Sequence, residues 1–153
     1  MNRIGAITLD EKSVVRRSTE IESERNAAIA DLLQENSFAP VSGATGPFAL
    51  HLAIEENRLL VDISDAGGRS ETIQVGLGPF RRIVKDYFVV CESYYDALRR
   101  QNLSQVEAID AGRRALHDEG SALLTERLTD KAAVDHDTAR RLFTLICVLH
   151  LRA

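Results

Sequence analysis

At 153 residues, 44% of them hydrophobic and 27% charged, the chain has the length of one globular domain, and we expect residues 1–153 to form it. A chain of this size removes roughly 68–70% of its unfolded surface from water on folding, so it needs neither a metal nor a disulfide, and the composition excludes a disordered tail. A formal net charge of −4 argues against broad binding to nucleic acid or anionic membranes, which takes a concentrated positive field.

Arg3–Leu9 is short and rich in strand formers, and Asp10–Ser18 is polar and charged, which predicts a strand and then a loop. Thr19 and Glu22 fit a capping box, and Ile21, Ala28, Ile29, Leu32 and Leu33 supply the apolar stripe of a helix that ends near Asn36, ahead of Pro40. Ser42–Pro47 has the composition of a turn. It does not fit a phosphate-cradling loop, because such a loop opens a helix and this one opens a strand.

Phe48, Leu50, Leu52 and Ile54 alternate with smaller or polar residues, and so do Leu59, Val61 and Ile63, with Glu56-Asn57 at the bend between them. After a second turn at Asp65–Gly68, Ile73, Val75 and Leu77 continue the alternation. These three runs predict a three-stranded antiparallel meander, with Arg3–Leu9 a candidate fourth strand. The Phe48/Leu52/Val61/Val75 side should meet helices, and the side carrying His51, Asp62, Ser64, Thr72 and Gln74 should meet water.

Gly78–Gln101 carries the clearest periodic signal. Phe80, Ile83, Val84, Tyr87, Phe88, Cys91, Tyr95 and Leu98 recur at the spacing that forms one stripe of a helix, and five of the eight Phe and Tyr residues of the chain lie here. Pro79 suits the first turn, where its missing amide would have no partner. Ser104 and Glu107 predict a capping box for a long helix ending near Leu128. Asp135 or Asp137 can cap a last helix through Leu151, whose Leu142–Leu151 segment has almost no polar side and must be enclosed by other helices or by a second copy of the chain. The predicted fold is α+β in the order β-α-β-β-β-α-α-α, with the three C-terminal helices packed on one face of the sheet.

Cys91 and Cys147 fall among apolar neighbours at helical spacing, as buried free thiols in a reducing cytoplasm would. No export signal is visible at Met1, and the longest apolar tract is shorter than the ~20 residues that cross a bilayer. A cytoplasmic location with no membrane partner is expected.

Several segments are familiar together: ENSF at Glu35–Phe38, HLAIEENRL at His51–Leu59, PFRRIVKDYFVVCESYYDA at Pro79–Ala97, EAIDAGRRALHDEGS at Glu107–Ser121 and DTARRLFTLICVLHLR at Asp137–Arg152. Over nearly the whole chain they resemble the alphaproteobacterial Uncharacterised Protein Family (UPF) 0262. The resemblance implies a bacterial cytosolic protein and supplies no catalytic residues.

Two places break the local rules, and such places are where function concentrates. Arg81, Arg82 and Lys85 crowd the opening of their helix, where the macrodipole and free amides favour acids. Either an anion sits with them, or an acidic side chain does; Asp86 lies four residues from Arg82. On the Ser104–Leu128 helix, Asp110, Arg113 and His117 fall in the same arc as Val106, Ile109, Leu116, Leu123, Leu124 and Leu128. They form either a satisfied polar network pinning the helix or a pocket in which His117 exchanges a proton and Arg113 grips an acidic group. Gly120, one turn on, leaves room for a backbone or a ligand.

Ala108, Ala111, Ala115 and Ala122 on the opposite side permit close helix approach, so both sides of this helix are expected to be covered. Asp135-His136-Asp137 reads as capping, with no metal ligands at a recognised spacing and no cofactor motif elsewhere. Arg16-Arg17, Arg81-Arg82, Arg99-Arg100, Arg113-Arg114 and Arg140-Arg141 reflect base composition, with 16 Arg against three Lys, unless the pairs coincide in space. The functional expectation is a non-enzymatic binding or interaction protein that forms a homodimer through its C-terminal helices. The alternative is an enzyme or sensor for a small anionic metabolite using Asp110, Arg113 and His117, helped by Arg81 and Lys85.

Overall fold

A computed structural model describes residues 2–11 and 19–150. The chain runs β1 (Ile4–Leu9), α1 (Thr19–Gln34), β2 (Phe38–Pro40), β3 (Phe48–Glu55), β4 (Arg58–Ser64), β5 (Ser70–Gly76), a single 3-10 turn at Gly78–Phe80, α2 (Arg81–Arg99), α3 (Leu103–Leu128), β6 (Ala132–Val134) and α4 (His136–His150). Most of the polar Asp10–Ser18 loop, the residue ahead of Thr19 and the helix end at Leu151 lie outside the described residues.

The α+β class and the meander hold: β3, β4 and β5 pair antiparallel in order. The two-residue bend places Glu56 and Asn57 at φ +50 and +61, the left-handed geometry that matches the twist of a tight hairpin. The sheet as a whole is mixed, because β1 joins as the fourth strand parallel to β3. Its return path runs through α1 and β2, and a crossover of this kind is what lets two strands lie parallel.

Phe48, Leu50, Leu52, Leu59, Val61, Ile63, Ile73 and Val75 are all buried on one face, while Asp62, Ser64, Thr72 and Gln74 face outward. His51 lies on that outer face too, 2.7 Å from Thr8 Oγ1 on the neighbouring strand. Leu124 and Leu128 of α3 and Leu142 and Ile146 of α4 close over the apolar face. The 3-10 turn and α2 reach α4 through Phe80 and Tyr87, whose rings lie 6.5 and 6.0 Å from that of Phe143. The buried apolar side chains form one cluster fed by both sheets and all four helices.

Four local expectations need correction. Phe38–Pro40 and Ala132–Val134 pair antiparallel as a second, two-stranded sheet that three-residue runs cannot announce by periodicity. α3 is capped by Asn102, not Ser104: Asn102 has non-helical angles and its side-chain oxygen accepts from the amide of Gln105 at 3.2 Å. Leu98 does not share the buried stripe of α2; it is 43% exposed, and Ala97 is buried instead. The alanines Ala108, Ala111, Ala115 and Ala122 are exposed, so the outer side of α3 is uncovered by this chain.

The enclosure of α4 comes from the same chain, since every residue from Leu142 to Leu149 is buried within it. Asp135 caps α4, accepting from the amide of Thr138 at 2.8 Å. Cys91 and Cys147 are buried free thiols, and burial pushes the Cys91 thiol up to about 11.

Candidate functional site

Three helices bring charged side chains to one place by simple periodicity. On α1, Glu24, Ala27, Ala28 and Asp31 share a face; on α4, Asp137, Arg140, Arg141 and Thr144 do the same; α3 contributes Arg113, Arg114 and His117. Between them lie two adjoining hollows. One, of about 130 Å³, is lined by Glu24, Tyr87, Arg113, Arg114, His117 and Arg140. The other, of about 220 Å³, shares Glu24, His117 and Arg140 and extends over Ala27 and Ala28 to Asp31, Asp137 and Arg141.

Arg113 is clamped on every side. Its guanidinium donates to Asp110 Oδ1 at 2.8 and 3.1 Å and to Glu24 Oε1 at 3.2 Å, and it lies 4.3 Å from the centre of the Tyr94 ring. Burial alone would lower it, but Glu24, Tyr87 and Asp110 outweigh that and hold it above its ordinary value. Glu24 also accepts from the Tyr95 hydroxyl at 2.6 Å, so α1, α2 and α3 meet in one network. Burial, reinforced by that bond, raises the Tyr95 hydroxyl.

One turn on, His117 sits between the rings of Tyr87 and Phe143, 5.7 and 5.5 Å away. Burial, followed by the field of Arg140, lowers its pKa to about 4, so the ring is neutral near pH 7. Nε2 lies 2.7 Å from Thr144 Oγ1, whose proton reaches the Arg140 carbonyl at 3.2 Å. A hydroxyl has one proton to give: if it goes to the carbonyl, Nε2 carries the ring proton and Nδ1 is a bare acceptor. In either tautomer Nδ1 is sealed from solvent and has no partner among the described residues. Buried polar atoms without partners are uncommon.

Among the described residues, Arg114 and Arg140 retain guanidinium nitrogens with no partner. Arg114 touches Asp110 only through Nε, at 3.4 Å, and Arg140 reaches Asp118 through one terminal nitrogen at 2.5 Å. Arg141 donates to the Asp137 carbonyl at 3.1 Å, while its buried Nε has no partner among the described residues.

The residues singled out in the sequence thus separate. Asp110 and Arg113 bond directly, and His117 lines the same hollow as Arg113. Arg82 is bonded to Glu119 at 2.5 Å and Asp86 at 3.2 Å, and Glu119 holds its guanidinium above the ordinary value. Arg81 and Lys85 are exposed and line neither hollow. Gly120 admits a side chain, the ring of Phe143.

Glu24, Ala27, Asp31, Arg114, Arg140, Arg141 and Thr144 are the lining residues that sequence reasoning passed over. The one available signal was the doublets: Arg113-Arg114 and Arg140-Arg141 do coincide in space. Among the described residues, no group of three His, Cys, Asp or Glu side chains could hold a metal ion, and no helix is long and apolar enough to cross a membrane.

No solved structure matches the chain. Curated relatives do. The chain is 57% identical over 147 residues to the UPF0262 protein of Rhodospirillum rubrum, an overlap of 95% of this chain and 91% of that protein. It is 53% identical over 152 residues to the UPF0262 protein of Azorhizobium caulinodans, covering 97% and 94%. To the UPF0262 protein of Nitrobacter winogradskyi it is 55% identical over 150 residues, covering 97% and 90%. The model of the Uncharacterised protein family (UPF0262) matches residues 1–152, and the chain belongs to that family.

Proposed function

We propose that this protein binds a small anionic ligand in the cleft where Arg114, Arg140 and His117 meet, and holds it without converting it. The observation that carries the reading is the pair of guanidiniums lining the smaller hollow: among the described residues Arg114 keeps both terminal nitrogens and Arg140 keeps one beyond its bond to Asp118. An anionic oxygen there would accept from the Arg114 and Arg140 guanidiniums, whereas His117 Nδ1, with the ring proton on Nε2, is itself an acceptor and calls for a donor. Arg113 and Asp110 then act as the frame, because their polar atoms are already engaged. A role in proton transfer fits poorly, since a general base works best with a pKa near the operating pH and His117 lies well below it.

Thermal unfolding with inorganic phosphate and with succinate, against sodium chloride at equal ionic strength, tests the reading. At least one anion should raise the Tm of the wild type, and Arg114→Gln should abolish the rise. No anion-specific rise in the wild type would overturn it.

A second reading is self-association through α2 and α3, since α4 is enclosed within its own chain. What supports it is the exposed alanine row of α3 together with Val89, 57% exposed on α2. Light scattering at micromolar concentration should give twice the chain mass; the mass of one chain would remove the idea.

A further inference from the structure

The charge of the cleft changes sign along its length. In the smaller hollow three guanidiniums, of Arg113, Arg114 and Arg140, face the single carboxylate of Glu24. In the larger one three carboxylates, of Glu24, Asp31 and Asp137, face the guanidiniums of Arg140 and Arg141. Among the described residues neither Asp31 nor Asp137 forms an ion pair, although Arg141 stands four residues from Asp137 and takes its backbone carbonyl instead. The floor beneath these two carboxylates is Ala27 and Ala28, which leave the space open.

From this polarity we infer that the ligand is a small zwitterion of the amino-acid type, its carboxylate toward Arg114 and Arg140 and its ammonium toward Asp31 and Asp137. The inference rests on the anion-binding reading above and adds the cationic end. A plain dianion long enough to fill both hollows would set negative charge against two unpaired carboxylates, which an ammonium would instead satisfy with charge-assisted hydrogen bonds. The two adjoining hollows, of about 130 and 220 Å³, together reach only the lower end of the roughly 300–1,000 Å³ range of small-molecule sites, so the ligand is small.

The test pairs amino acids with the acids that lack the amino group: alanine with propionate, aspartate with succinate, glutamate with glutarate, plus inorganic phosphate, each titrated calorimetrically into the full chain. At least one amino acid should bind tenfold or more tightly than its partner acid. The double variant Asp31→Asn/Asp137→Asn should weaken binding of the amino acid at least fivefold and remove its preference over the partner acid, whose own affinity should hold or rise as two negative charges are withdrawn. Circular dichroism checks that the variant is folded, and Asp31→Asn alone serves if it is not. Equal affinity within every pair in the wild type, or a preference that survives the substitutions, overturns the zwitterion while the anion function stands. Absence of binding by every probe overturns both.

Discussion

The ring of Phe143 occupies the space that a β-carbon on Gly120 would need, with three of its atoms inside 3.0 Å of that point. Phe143 is fully buried and wedged against Phe80, Tyr87 and His117, so it has nowhere to retreat. Gly120→Ala should therefore destabilise the protein by about 1–3 kcal/mol, the usual range for overpacking. Gly112, on the same helix, has nothing within 4 Å of its would-be β-carbon, and Gly112→Ala should stabilise by about 0.5–1 kcal/mol through helix propensity. Urea midpoints of the two variants moving the same way would contradict the packing of α3 on α4.

His117 makes stability depend on pH in a stated direction. Its folded pKa, about 4, lies below the ordinary value, so the unfolded chain takes up the proton first as pH falls. The contribution is intact above about pH 6.5 and is lost as pH drops toward 4, amounting to as much as about 3 kcal/mol. His117→Gln cannot titrate, so its urea midpoint should fall less than that of the wild type between pH 7 and pH 4.5. Parallel falls would show that His117 is not held neutral.

Glu24 links Arg113 to Tyr95, and the two contacts should couple. Tyr95→Phe removes a 2.6 Å bond to a carboxylate and should cost about 1–2 kcal/mol. Arg113→Met leaves Glu24 with the Tyr95 hydroxyl and Asp110 with Arg114 Nε, both carboxylates about three-quarters buried, and should cost about 2–4 kcal/mol. The double variant should lose less than the sum, because residues in one network are not additive. Strict additivity in denaturant melts would separate the contacts.

Asn36 ties β1 to α1. Its amide donates to the carbonyls of Ile4 and Leu32 at 3.0 and 2.8 Å, and its oxygen accepts from the amide of Ile4 at 2.7 Å. Asn36→Ala should cost about 2–3 kcal/mol, since buried backbone groups lose partners. Hydrogen exchange at the Ile4 amide should accelerate; unchanged protection there would remove this role for Asn36.

The doublets show where local reading runs out. Arg81-Arg82, Arg113-Arg114 and Arg140-Arg141 look alike in the sequence, yet Arg82 is taken up by Glu119 while Arg114 and Arg140 reach a common cleft. Helical periodicity tells which residues share a face: Asp110 bonds to Arg113, and Arg113 and His117 line one hollow. It carries nothing about which face of another helix lies opposite, so Glu24, 89 positions from Arg113, was out of reach.

The sequence by itself determined the meander, the four helices and the buried stripe of α2, because alternation and 3.6-residue periodicity are local consequences of backbone geometry and of the tendency of apolar side chains to leave water. Only the tertiary structure decided that β1 lies parallel to β3, that α4 is enclosed by its own chain and that α1, α3 and α4 leave a charged cleft between them. Those outcomes depend on contacts between residues far apart in the chain, whose geometry is set by the packing of whole elements and leaves no periodic trace in any one of them.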